Sequence, residues 1–309
     1  MSNELPSRQP DEPIDTRSWL RKMTDPPLQW TTERIHGIFP EITADQVTIA
    51  GGLGVAAGSL MQMYQSHEVP CGEKQSMTPL IILSAGLIAD AVDGKMAKLN
   101  GTYGKGNGAL YDAVTDRTNN AFLAMTRMYQ AHAKGSQAGE ILALTSGMTG
   151  LFPSWYRAQI EAKAIPVQEG GNAWWEFFGT HAGRSILQAA AIGIPTILSQ
   201  PSVKNFIDTK FPVTSQTLER VPYQEICDGI ATAVSAKVSY DRFKQAQLQS
   251  DYGPFPEAQQ LKIDAAKSKL GPYLTLMGVN LAAMFGTYYG LHQDEIHSYV
   301  GKVYQQLAK

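Results

Sequence analysis

A chain of 309 residues is long enough for one large domain or two modest ones, and its net charge of −2 excludes binding to nucleic acid through bulk electrostatics. Its two cysteines, Cys71 and Cys227, supply neither a disulfide framework nor a Cys-rich metal site. A mean hydropathy of −0.20 and a charged fraction of 17% describe a soluble protein on average, but the charges are clustered and leave long uncharged runs between them.

Residues 1–14 are polar and proline-rich, without the apolar core of a secretory signal, and read as a loose tail. Residues 15–39 set Trp19, Leu20, Met23, Trp30 and Ile35 among Arg17, Arg21, Lys22 and Arg34. That pattern suits a helix lying on a membrane surface and a helix packed on the protein body equally well. From Val47 to Gln65 there is no charge, and Gly54-Val-Ala-Ala-Gly58 has the small-residue spacing that lets membrane helices approach closely. A second uncharged run, Gln75 to Ala89, delivers Asp90 and Asp93 at its end. A third helix is expected from Gly108, passing Asp112, Asp116, Arg117, Asn119 and Asn120; such a polar beginning can face only protein or a cavity. Uncharged runs at Ile141–Tyr156, Ser185–Val203 and Leu270–Gln293 bring the total to about six candidate spans of roughly 20 residues.

Residues 204–269 fit no span, because Glu225, Asp228, Lys237, Asp241, Arg242 and Lys244 interrupt every apolar run. They are expected to form a polar, partly helical insertion in an all-α, polytopic membrane protein. Its membrane domain would comprise residues 41–203 and 270–295, after an N-terminal region 1–40 and before a tail at 296–309. Lys95, Lys98 and Lys105 lie an even number of crossings from Arg17, Arg21, Lys22 and Arg34, which puts both groups on the cytoplasmic side. Trp174, Trp175, Phe177 and Phe178 read as a membrane-boundary cluster. Cys71 and Cys227 would both face outward, and the histidines, among them His67, His132, His181 and His292, show no metal-ligand spacing.

The chemistry concentrates in residues 90–116. Asp90 and Asp93 are three apart and Asp112 and Asp116 four apart, so on helices each pair presents both carboxylates on one face. Gly101, Gly104, Gly106 and Gly108 break the chain between the pairs and turn the two helices toward each other. Four crowded acids repel unless counter-charged, and oxygen-only ligands at a flexible site suit Mg²⁺ or Mn²⁺, two of which commonly hold a diphosphate. The expectation is a polar cavity open to the cytoplasm.

Asp90-xx-Asp93-Gly94-xx-Ala97-Lys98 followed by Gly108-xxx-Asp112-xxx-Asp116 closely resembles the signature of the CDP-alcohol phosphatidyltransferases, integral membrane enzymes with six helices. Ile42-Thr-Ala-Asp45-Gln-Val-Thr48 resembles the start of that family's first helix, and Ser154-Trp-Tyr-Arg157-Ala-Gln-Ile-Glu161 and Gly183-Arg184-Ser-Ile-Leu resemble parts of its fourth and fifth. The resemblance covers about residues 40–200. There are departures: Lys98 stands where arginine is usual, Asn is usual near Asp45, the interval from Lys98 to Gly108 is one residue longer, and 204–269 is not typical.

The resemblance implies transfer of a phosphatidyl group from CDP-diacylglycerol to a hydroxyl, with release of CMP. Asp90, Asp93 and Asp112 would hold two Mg²⁺ or Mn²⁺ ions with Asp116 at the edge of the site, where it is also the expected base. Thr48, Gly94, Ala97, Lys98 and Gly108 are the implied nucleotide contacts. Arg157 and Arg184 would bind a phosphate on the acceptor, which favours inositol phosphate or glycerol 3-phosphate and likens the chain to the phosphatidylinositol-phosphate and phosphatidylglycerophosphate synthases. The implied partners are those substrates, membrane lipids and a second copy of the chain. The rival readings are a prenyl-diphosphate transferase, which also uses two aspartate-rich clusters and magnesium, and a noncatalytic divalent-cation-binding membrane protein.

Overall fold

The computed structural model describes residues 19–69, 73–102, 108–163, 181–210, 221–247 and 257–307. The tail at 1–14, Cys71, Gly104, Gly106 and the aromatic run Trp174, Trp175, Phe177 and Phe178 lie outside the described residues. The elements are α1 (Trp19–Ile38), α2 (Ala44–Glu68), α3 (Thr78–Leu99), α4 (Gly108–Ala133), α5 (Gln137–Ala162), α6 (His181–Leu198), α7 (Pro201–Lys210), α8 (Tyr223–Gln247) and α9 (Glu257–Leu307). No strand occurs among the described residues, so the all-α expectation holds.

Local sequence sets the ends that matter for the site. Thr43 caps α2 through a reciprocal box: its hydroxyl accepts from the Gln46 amide at 3.2 Å, and the Gln46 side chain accepts from the Thr43 amide at 2.9 Å. At the other end of the hairpin, Gly101 takes φ +65° just past α3. The Thr102 amide reaches back to the Ala97 carbonyl and the Gly101 amide to that of Lys98, which closes the helix on a glycine that tolerates the left-handed turn. The Asn100 side chain then donates to the Ile42 carbonyl at 3.1 Å, tying the end of α3 to the start of α2.

Between those ends α2 and α3 touch through glycine. A Cβ on Gly58 would lie 2.6 Å from the Leu83 nitrogen, and one on Gly86 would lie 2.5 Å from the Val55 nitrogen. The Gly54/Gly58 spacing read from the sequence is thus the backbone-to-backbone face of this pair. α1 lies on the body of the protein, with Leu28 and Ile35 packed on the Val92–Met96 cluster and Asp25 2.8 Å from Lys95. Its other face exposes Trp30.

Contacts along the remaining helices give their directions. Ser136 and Gly139 of α5 meet Glu225 near the start of α8, while Pro153 and Lys163 meet Arg242 and Ala246 near its end, so α8 runs parallel to α5. The stretch expected as an insertion therefore contributes a full traverse of the bundle. Its charges are accommodated because Asp228 forms a wholly buried ion pair with Arg127 of α4, and Gln224 donates to the Arg127 carbonyl at 2.6 Å. Tyr273 of α9 lies over Arg117 near the start of α4, whereas His292 bonds Glu140 near the start of α5. α9 accordingly runs in the direction of α4, opposite to that of the last helix in a six-span meander. It continues through 296–307, where a tail was expected.

The bundle exposes large apolar side chains and buries polar ones. Leu53 is 66% and Ile81 62% exposed, while Gln62, Asn119, Arg127, Gln188 and Asp228 have at most 1% of their surface exposed. Among the described residues, by length and composition, one helix, α2, is apolar enough to cross a membrane, or two crossings count if Gly183–Leu198 and Pro201–Lys210, bent by 78°, form one. The expectation of about six spans is not met by that criterion, because polar and charged groups turned into the interior, such as Asp90 and Asp93 in α3 and Arg117 and Arg127 in α4, interrupt the apolar stretches.

Gly86→Val places a branched side chain against the Val55 backbone and is expected to lower stability by at least about 1–3 kcal/mol, seen as a drop in the unfolding midpoint of the purified protein. Gly94→Ala, on the same helix but with nothing within 4 Å of the added carbon, is expected to hold or raise that midpoint.

Candidate active site

Asp90 and Asp93 lie on the last turns of α3 and Asp112 and Asp116 on the first turns of α4. α2 brings the two pairs to one level. A Cβ on Gly51 would sit 3.1 Å from the Asp90 nitrogen, and one on the next residue, Gly52, would sit 2.8 Å from Cγ2 of Thr115. One turn earlier the Thr48 hydroxyl is 2.5 Å from Oδ2 of Asp93 and 3.1 Å from the Ala44 carbonyl. With one proton to give, it donates to the closer, charged acceptor. Asp93 is only 8% exposed, so this bond fixes a buried carboxylate.

The signature's other positions divide by environment. Gly94 is exposed, and among the described residues no neighbour comes within 4 Å of where its side chain would be. A mid-helix glycine costs about 1 kcal/mol relative to alanine. Ala97 packs on the cluster of Ala44, Val47, Val92 and Met96, Lys98 is exposed in the last turn of α3, and Gly108 is the first residue of α4. Thr48 is engaged with Asp93. The side chain of Asp112 lies outside the described residues.

Beside Asp116 the sign of the charge reverses. Arg184 of α6 is 4% exposed, and the charges acting on it are those of Arg242 from α8, Asp116 from α4, and Arg117 from α4. Arg117 is buried too, its guanidinium 4.0 Å from the centre of the Tyr273 ring. Arg242 donates to the Pro153 carbonyl at 2.7 Å. Arg184 therefore lies within electrostatic reach of Asp116 and of two further guanidinium groups, those of Arg117 and Arg242. Arg157, expected to act with Arg184, is exposed on α5 and pairs with Glu161 at 2.9 Å.

Sequence reading assigned no role to Arg117 or Arg242. Adjacency to Asp116 was the available signal for Arg117; Arg242 had none, because α8 was not expected in the bundle. Among the described residues, one set of three His, Cys, Asp or Glu side chains keeps its ligand atoms within 4.8 Å, and it is His132, Glu140 and His292. Asp90, Asp93 and Asp116 share a level without closing to that spacing.

No protein-family model matches the chain, and no curated protein matches it.

Thr48→Val removes the charge-assisted bond to Asp93 while keeping the side chain's shape. It is expected to destabilise the protein by about 1.5–3 kcal/mol in thermal or denaturant unfolding, and Thr48→Ser is expected to restore most of the loss.

Proposed function

We propose that the chain is a metal-dependent membrane transferase that moves a phosphatidyl group from CDP-diacylglycerol to the hydroxyl of a phosphorylated polyol, releasing CMP. The observation that carries this reading is that Arg184, buried on α6, lies within electrostatic reach of Asp116, Arg117 and Arg242. α2 packs against α3 at Asp90 and against α4 at Thr115, and Asp116 on α4 is among the charges that act on Arg184. The acid side suits cations on a nucleotide diphosphate. The basic side suits a second, anionic substrate.

The donor set fits a hard divalent ion: all ligands are oxygen, and Asp93 is oriented from behind by Thr48. Asp90, Asp93 and Asp112 would hold Mg²⁺ or Mn²⁺ with Asp116 at the edge, and the ions supply neutralisation of the diphosphate and of departing CMP. Open space beside Gly94 leaves room for the nucleotide to approach the α3 backbone. The arginines hold the acceptor's phosphate, with Arg117 and Arg242 joining Arg184 in the role first assigned to Arg157 and Arg184. Asp116 accepts the proton of the acceptor hydroxyl, whose oxygen bonds to the lipid-proximal phosphorus as the bond from that phosphorus to CMP breaks.

A bilayer setting is supported by the exposure of Leu53, Ile81, Leu274 and Val279 over an interior of Asn, Gln, Arg and Asp. In this reading α2 to α6, α8 and α9 cross the membrane, and the acid cluster faces the cytoplasm.

Purified protein incubated with CDP-diacylglycerol, Mg²⁺ and a panel of polyols and polyol phosphates is expected to release CMP only with a phosphorylated acceptor. Asp116→Asn should lower turnover about 10²–10⁴-fold. Release of diphosphate from a prenyl donor, or unchanged turnover in Asp116→Asn, would overturn the assignment.

A further inference from the structure

The end of the bundle away from the aspartates carries a second group of ligating side chains. α4 ends at Ala133, Gly135 turns at φ +68°, and Ser136 caps α5, so His132 and Glu140 face each other across a tight hairpin. His132 Nδ1 is 3.3 Å from Glu140 Oε1. His292 arrives from α9 and places Nε2 in hydrogen-bond contact with Glu140 Oε2. The two imidazoles meet edge to face, with ring centres 5.4 Å apart and planes at 88°.

We propose that His132, Glu140 and His292 form a binding site for a borderline transition-metal ion of the Zn²⁺ class, distinct in place and donor chemistry from the aspartate cluster. The donors are two imidazole nitrogens and a carboxylate, the set that zinc takes when three protein ligands leave a fourth position open. Bonds of about 2.0–2.1 Å in a tetrahedron space ligand atoms about 3.3 Å apart. The His132–Glu140 separation already matches that, and all the ligand atoms fall within 4.8 Å of one another.

Two further features point to a built site. Glu140 is 2% exposed, and its carboxylate is directed at both imidazoles. The second nitrogen of His292, Nδ1, faces Glu295 Oε2 at 3.3 Å. A carboxylate behind a ligating imidazole fixes the tautomer that offers Nε2 to the ion and raises its basicity. His132 is partly open to solvent, which provides access and a water for the fourth position. The ion would join α9 to the α4–α5 hairpin sixteen residues beyond Asp116 on α4, a rise of about 24 Å.

The test is titration of the EDTA-stripped, full-length protein with Co²⁺ and Zn²⁺. Tetrahedral nitrogen and oxygen coordination gives Co²⁺ a strong visible absorption, whereas octahedral all-oxygen coordination absorbs weakly. The wild type is expected to develop the strong band at one equivalent, with Zn²⁺ displacing it. His132→Gln, at a partly exposed helix end that tolerates change, and Glu140→Gln should each weaken binding at least tenfold. Glu295→Gln should weaken it about tenfold, as loss of an outer partner does. Asp93→Asn should keep the band. No band in the wild type, or an undiminished band in His132→Gln, overturns the site.

Discussion

The close approach of α2 to α3 is the constraint on which the candidate site rests. Four glycines, Gly51, Gly54, Gly58 and Gly86, remove the side chains that would otherwise hold these helices apart. The same contact lets Thr48 reach Asp93 and sets Gly52 against Thr115, so one thin helix registers two acid-bearing helices. A shift of one residue along α2 would rotate Thr48 about 100° away from Asp93. The polar site is therefore positioned by a contact that is itself apolar and almost without side chains.

The interior around it has the opposite composition. Asn120 donates to the Gly147 carbonyl at 2.9 Å and accepts from Gln188 at 2.6 Å, linking α5, α4 and α6 through one amide. Arg127 and Asp228 join α4 to α8, and Glu140 and His292 join α5 to α9. Such links define which helices are neighbours more strictly than apolar packing does, because a buried polar group left without its partner is costly. In a lipid surrounding, where apolar faces gain little by meeting each other, they would carry much of the specificity of the bundle.

These features also mark how far the sequence could be read. Local signals were legible: the Gly54/Gly58 face, the turn at Gly101 and the burial of Asn119 and Asn120 each follow from neighbouring residues. What required distant partners was not. The charges of α8 read as those of a polar insertion because the counter-charge of Asp228, Arg127, lies far away in sequence on α4. With α8 set aside, the direction of α9 was unreadable too, and with it the approach of His292 to Glu140 and of Tyr273 to Arg117. Arg242 was hidden for the same reason. His132 and Glu140 flank a tight helix turn and could have been paired from the sequence; nothing in it brings in His292.

In the proposed reaction, carboxylates from α3 and α4 act on shared ions at the level set by α2. Anomalous diffraction from crystals of the chain grown with Mn²⁺ would locate those ions. Manganese is expected between the two helices, with Asp93 bonded to it and still held by Thr48. Manganese absent from that space, or bound there without Asp93, would contradict that proposal.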